Sequence, residues 1–223
     1  MSFPANSIAP ADAERASPQS ATPATRPSAR RWIPIRSLAE RHRPRILAHL
    51  LALPPQDRYL RFGYAASDAQ IARYADLIDF THDEVFGVFN RRLELIAQAH
   101  LAGLPDASEA EFGVSVLPKA RGRGYGARLF DHAVLHARNR GVDTLLIHAL
   151  TQNTPMLRIA RSAGASVESS GGEALARLRL PPDTLRSHLD AFLESSAAEV
   201  DYRFKSQGKL ANAVIDSARP SGD

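Results

Sequence analysis

The chain has 223 residues, with 28 Lys and Arg against 24 Asp and Glu, a net charge of +4; that is the length of one domain with extensions rather than of two full domains. Its 44% hydrophobic and 23% charged content excludes a wholly disordered chain. The lack of cysteine excludes a disulfide scaffold, thiolate zinc sites, iron–sulfur clusters and a cysteine nucleophile.

Residues 1–30 hold 8 Ala, 5 Pro, 5 Ser and five charges. Such a segment buries too little apolar surface to offset its ordering entropy, so it reads as a disordered tail. It has neither the basic start nor the apolar core of a signal peptide, and Asp12 and Glu14 weigh against a transit peptide. No apolar run approaches the roughly 18 residues of a membrane span, so the expected location is the cytoplasm, with no membrane partner. The folded domain is expected over residues 31–180. Ile33 and Ile35 alternate around Pro34 as in a short edge strand. Arg45 to Leu53 reads as a helix stopped by Pro54-Pro55, and Ser67 to Leu77 as a second, with Ile71, Tyr74 and Leu77 on its inner face. Glu84–Phe89 and Leu93–Leu101 read as strands of a hairpin around Asn90-Arg91-Arg92, and Ala110–Leu117 as a third strand.

Gly126 to Arg140 is an amphipathic helix with Leu129, Phe130, Ala133, Val134 and Ala137 on one stripe and Gly141 at its end. Thr144–Leu150 is almost continuously apolar, which predicts a strand buried on both faces. Thr154 is the expected N-cap of the next helix, with Pro155 at its first position and Gly164 closing it. Ala165–Ser170 and Ala174–Leu180 flank Gly171-Gly172 as a last hairpin. Residues 181–223 read as a helical extension that Asp183 caps and a frayed tail from Ser206. Hairpins mixed with one strand–helix–strand crossover predict an α/β protein with a mixed sheet, not a doubly wound parallel one.

The most informative segment runs from Val116 to Gly126, between a strand and a helix. Gly122, Gly124 and Gly126 alternate with Arg121, Arg123 and Tyr125, which lets the backbone approach a ligand closely. The helix that follows offers unpaired N–H groups and the positive end of its dipole, an anion site suited to a pyrophosphate. Lys119, Arg121 and Arg123 add positive charge. Gly126 is followed by Ala127-Arg128 rather than Lys-Ser/Thr, which argues against a P-loop. The glycine spacing and the position of Asp143, ahead of the next strand, argue against a dinucleotide fold.

Arg121-x-x-Gly124-x-Gly126 resembles the Q/R-x-x-G-x-G/A signature of the GNAT superfamily of N-acetyltransferases. Asn153 stands where that family carries an Asn at the start of the following helix, and Arg58-Tyr59-Leu60-Arg61-Phe62 is similar to a run common in its bacterial members. The resemblance covers about Trp32 to Leu180. It implies a mostly antiparallel central sheet with helices on both faces, and acetyl-CoA as cosubstrate. It also implies a coenzyme site built from Val114, Ser115, Val116, Arg121, Gly122, Arg123, Gly124, Tyr125, Gly126 and Asn153. The implied reaction is direct attack by an amine, on a small molecule or peptide, without a metal or a covalent enzyme intermediate. Glu111 is the implied general base. The family's tyrosine acid is replaced by Ala160, leaving Tyr59, Tyr64 or water as donors, or a thiolate that leaves unprotonated. The rival reading is a coenzyme A-binding sensor or scaffold that has lost catalysis.

Other signals are read as structural. His132 and His136, four apart on a helix, lack the glutamate of a zinc peptidase and read as surface histidines. His148, in a buried strand near the proposed cleft, reads as a hydrogen-bonded structural histidine ahead of one that contacts substrate or tunes a proton transfer, and Arg58, Tyr59 and Arg61 read as packing anchors ahead of residues lining the acceptor side. From Lys119 to Arg140 six basic residues face one Asp, so the basic excess sits at the loop, and no basic–aromatic stripe points to nucleic acid. The C-terminal helix is open between covering a sheet edge and pairing two subunits as a homodimer.

Overall fold

The computed structural model describes residues 34–103 and 108–181. The predicted tail and the helix after Asp183 lie outside these residues.

Pro34 has no N–H to give to a ladder, and the first strand, β1, starts beyond it at Arg36–Leu38. A 3-10 turn over Glu40–His42 leads into α1, Arg43–Leu51. This helix begins and ends two residues before the expected range, because Pro44 fits its first turn, where a missing N–H leaves no bond unmade. An unexpected helix, α2, spans Pro55–Phe62 and is closed by Gly63 at φ 81°. The proline pair thus separates two helices instead of ending one. In α3, Asp68–Leu77, Ser67 caps the N-terminus by accepting from the Gln70 N–H, while the Gln70 side chain accepts from the Ser67 N–H. Ile71, Ala75 and the following Ile78 are buried, but Leu77 is 74% exposed. The buried stripe runs i, i+4, i+7 from Ile71, and Leu77 lies off it.

Strands β2 (Glu84–Phe89), β3 (Leu95–Gly103) and β4 (Glu109–Val116) form an antiparallel meander. Its first turn extends to Glu94: Asn90 Oδ1 accepts from the Arg92 and Glu94 N–H groups, and Leu93 takes φ 58°. Helix α4 (Tyr125–Asn139), strand β5 (Thr144–Leu150), helix α5 (Thr154–Ser162) and the hairpin β6 (Ser166–Ser170) and β7 (Glu173–Arg179) complete the fold. The sheet order is β1-β2-β3-β4-β5-β7-β6, and β4–β5 is its one parallel pair.

Alternate strand residues feed two cores, one on each side of the sheet. Ile46 and Leu50 of α1 and Ile71 of α3 pack with Val85, Phe89 and Leu95. Leu129 and Phe130 of α4 and Leu157 of α5 pack with Phe86, Phe112 and Ile147. The α4 face also corrects the reading of its histidines. His132 is buried and His136 half-buried, with ring centroids 4.6 and 4.8 Å from that of Phe86, and His136 Nδ1 stands 2.9 Å from Glu84. Strand β5 departs from its prediction too: Leu145 and Ile147 are buried but His148 is exposed. The neighbouring strand turns away there.

Candidate active site

Strand β4 pairs with β5 only over Glu109–Glu111, against Thr144–Leu146, whereas β5 continues to Leu150 paired with β7. Past Glu111 the two strands part. The Leu117 N–H donates to the Ile96 carbonyl at the end of β3, and the Ser108 carbonyl accepts from Asp143 and Thr144 at the head of β5. Alternation along a strand therefore turns the main-chain groups of Val114 and Val116 into the gap and those of Ser115 toward β3. Ser115 is engaged at its side chain as well, because its Oγ lies 2.8 Å from Nε2 of the buried His49. Of the three expected main-chain donors and acceptors, Val114 and Val116 face the opening and Ser115 does not.

At the far end of β4 the glycine loop meets the N-terminus of α4. Gly122 and Gly124 hold φ values of 73° and 77°, a region costly for any residue with a Cβ. A Cβ on either would meet no atom within 4 Å, while Gly126 packs near Val116 and Ile159. Gly124 is the N-cap of α4, and no side chain caps that end. The N–H groups of its first turn are thus left for a ligand. Tyr125 is half-buried against the core below.

The three basic side chains are not equivalent. Lys119 pairs with Glu94 at 3.2 Å, and Arg121 pairs with Asp57 of α2 and donates from Nε to the Val116 carbonyl. Arg123 is exposed, with no partner among the described residues. Asn153, not Thr154, is the N-cap of α5. Its Oδ1 accepts from the Met156 N–H, and its Nδ2 donates to the Leu60 carbonyl, tying α5 to α2.

The parted strands open a cavity of about 820 Å³ whose lining includes Glu111, Val114, His148, Asn153, Arg61 and Tyr74. Glu111 is exposed, and His148 lies two residues beyond its cross-strand partner Leu146, on the same face of the sheet. His148 has no hydrogen-bond partner among the described residues, which corrects its reading as a bonded structural histidine. Tyr64 also lines the cavity; Tyr59 does not, and Ala160 is fully buried. Of Arg58, Tyr59 and Arg61, weighed from the sequence between packing and the acceptor side, only Arg61 lines the cavity; Tyr74 and His100 escaped the sequence reading as site residues, because nothing in their spacing announces that α2, α3 and β3 converge here.

Beneath the cavity, burial pushes His49 down to about 4; Arg61 adds to the shift, while hydrogen bonds to Leu95 and Ser115 oppose it. The ring is therefore neutral at pH 7. Since the Leu95 carbonyl can only accept, Nδ1 carries the proton and the Ser115 hydroxyl donates to Nε2.

Free amides at an uncapped helix head, two glycines at positive φ and one unpaired arginine fit a pyrophosphate. The gap-facing groups of Val114 and Val116 fit an extended arm laid along β4. The model of the acetyltransferase (GNAT) family matches residues 47–165. The GNAT domain of PAT from S. lividans is similar at TM-score 0.56 and 23% identity, over 66% of this chain and 89% of that one. The yncA protein of Salmonella typhimurium, solved with acetyl-CoA, is similar at TM-score 0.52 and 14% identity, over 68% and 96%. Spermidine N-acetyltransferase from Vibrio cholerae, solved with CoA and spermine, reaches TM-score 0.50 and 17% identity, over 64% and 91%. At these identities the structural likeness concerns the fold, whereas the family match spans more than half of the 223 residues. The chain belongs to the GNAT family of acetyltransferases.

Proposed function

We propose that the protein transfers the acetyl group of acetyl-CoA to an amine by direct attack. The observation that carries this reading is the parting of β4 from β5 past Glu111, in line with the uncapped head of α4. Together they form a track from a pyrophosphate site to a cavity with a carboxylate at its edge. The loop N–H groups from Gly122 to Gly126, with Arg123, hold the diphosphate, and Val114 and Val116 hold the arm. Arg121 and Asn153 keep α2 and α5 against that track.

Acetyl-CoA supplies an acyl group already activated as a thioester. The chain's own residues supply alignment and proton handling. A gap-facing N–H of β4, that of Val114, donates to the acyl oxygen as negative charge gathers on it, a contribution typically of a few kcal/mol. An ammonium has no lone pair, so the acceptor must lose a proton before it attacks. Glu111, exposed at the cavity edge, takes that proton directly or through a water, with His148 beside it. Tyr64, which lines the cavity, offers a hydroxyl to the departing sulfur.

A second reading, a coenzyme-binding module without catalysis, draws on the buried Ala160, which leaves the family's acid position without a hydroxyl. A thiol-release assay with acetyl-CoA and a panel of amino acids, polyamines, aminoglycosides and peptides separates the two. Turnover with any of them supports the transferase. Calorimetric binding of coenzyme A with no turnover supports the module.

A further inference from the structure

Three arginines enter the layer formed by α1, α2 and α3, and two of them are fully engaged. Arg43 donates to the carbonyls of Ala75, Asp76 and Ile78 at the end of α3. Arg58 donates to those of Leu51 and Leu53 and pairs with Asp68. Arg61, one turn beyond Arg58, differs. Its Nη2 donates to the Tyr74 hydroxyl at 2.7 Å, its Nε is buried without a partner, and no carboxylate among the described residues pairs with it. Its guanidinium lies over Phe62 and Tyr74, 5.2 and 5.4 Å from the ring centroids. Those rings fix its position without neutralising its charge.

The position is built. The Tyr74 hydroxyl stands 2.6 Å from His100 Nδ1, and His100 Nε2 stands 3.0 Å from Asp83. With the proton on Nε2, Arg61 donates to Tyr74, Tyr74 donates to His100 Nδ1, and His100 Nε2 stands against the Asp83 carboxylate. The Arg61 end of the chain rests against Gly113, which pairs with His100 across β3 and β4. A Cβ on Gly113 would come within 2.6 Å of the Arg61 guanidinium carbon, so glycine is needed there for the cation to sit over β4. An oriented guanidinium with free N–H groups in a recess matches a carboxylate, which takes two parallel hydrogen bonds from it.

We infer that Arg61 is the carboxylate-binding group of the acceptor site and that the acceptor is a free α-amino acid. This rests on the transferase reading of the cavity. The charges around the cavity suit a zwitterion: Arg61 shares its lining with Glu111 and Glu173, while Glu168 is paired with Arg177. A dianionic phosphate would meet those carboxylates unfavourably. Gly113 and Glu111 lie on one face of β4, two residues or roughly 7 Å apart. A carboxylate held at Arg61 therefore leaves the amine, one carbon away, between Gly113 and Glu111, beside the parted strands. Asp83, His100 and Tyr74 are positioning residues that act through Arg61.

The test uses L-leucine, L-methionine and L-phenylalanine against their amides and their decarboxylated amines, with acetyl-CoA and the full chain. The amide's less basic amine is more fully deprotonated, so without a carboxylate site the amides react faster. The expected result is the reverse, with kcat/KM at least about tenfold higher for the acids. Arg61→Gln should erase that preference through KM, Arg61→Lys should restore part of it, and coenzyme affinity and melting temperature should match wild type in both. Tyr74→Phe should raise KM for the acids with kcat retained. Amides that match or outrun the acids, or an Arg61→Gln variant that keeps the preference, overturn the assignment while leaving the transferase standing. If no amine turns over, the acids are titrated into coenzyme A-loaded protein; saturable binding that Arg61→Gln abolishes supports the site, and its absence overturns it. Failure to bind coenzyme A at all removes the transferase reading instead.

Discussion

Glu111 of β4 and Leu146 of β5 form the last cross-strand pair before the two strands separate. A carboxylate thus sits at the vertex of the opening, where an acceptor entering the cavity would meet an acyl group carried along β4. If Glu111 removes the acceptor's proton, Glu111→Gln keeps the shape and loses the base. The expected effect is a fall in kcat of about 10²-fold, the usual scale for a general base, with loss of the acidic limb of the pH–rate profile. Coenzyme affinity by calorimetry should be unchanged. An unaltered rate removes Glu111 from the mechanism.

Much of this architecture was legible in the sequence because its signals are local. Strands β2 and β5 have the predicted bounds, and α4 is displaced by one residue from its prediction, since apolar periodicity and glycine punctuation decide them within a few residues. Helix α2 was lost because Pro54-Pro55 carries two meanings, a stop for one helix and a first turn for the next, and only the packing of Arg58 against Leu51 and Leu53 chooses between them. The loop was readable from Arg121-x-x-Gly124-x-Gly126. The Arg61–Tyr74–His100–Asp83 chain was not, because its members come from α2, α3, β3 and the turn before β2 and meet only after folding.

The loop cations should divide their work. The Arg121 charge is already matched by Asp57, which is 12% exposed, whereas that of Arg123 is free. Arg123→Met should therefore weaken coenzyme A several-fold, consistent with loss of an exposed charge-assisted contact of about 1 kcal/mol. Arg121→Met should lower the melting temperature more than Arg123→Met does. Parallel calorimetry and thermal melts check the ordering, and the reverse order contradicts it.

His49 sets a pH dependence of stability. Its pKa falls from 6.5 to about 4 on folding, chiefly through burial, so the unfolded chain binds a proton in that interval that the native state refuses. Stability is complete above about pH 6.5 and drains away as the pH falls toward 4, by up to about 3 kcal/mol. The lowered Asp79 and Asp83 act at lower pH, where their protonation removes further stability. Melting curves from pH 7.5 to 4.5 should show the decline; His42, also lowered to about 4, adds its own share over the same range, so His49→Gln should make the slope shallower without abolishing it, and an unchanged slope in that variant would remove His49 from the effect.

Ala160 is packed without exposure among the core residues of α5. Restoring the family's tyrosine there should overfill the core and cost about 1–3 kcal/mol rather than speed the reaction. A thermal melt with a parallel thiol-release assay measures both quantities. A faster enzyme of unchanged stability would show that the position is accessible to the sulfur.

The central claim is that bare amides at the head of α4 grip a diphosphate. Gly124 at φ 77°, with open space where a Cβ would stand, tests it most directly, because valine there strains the backbone and covers the amides without striking the core. Calorimetric titration of coenzyme A should give saturable binding to the wild-type protein and none to Gly124→Val, whose circular dichroism should remain that of the parent. Wild-type protein that fails to bind, or a Gly124→Val variant that binds with full affinity, contradicts the account.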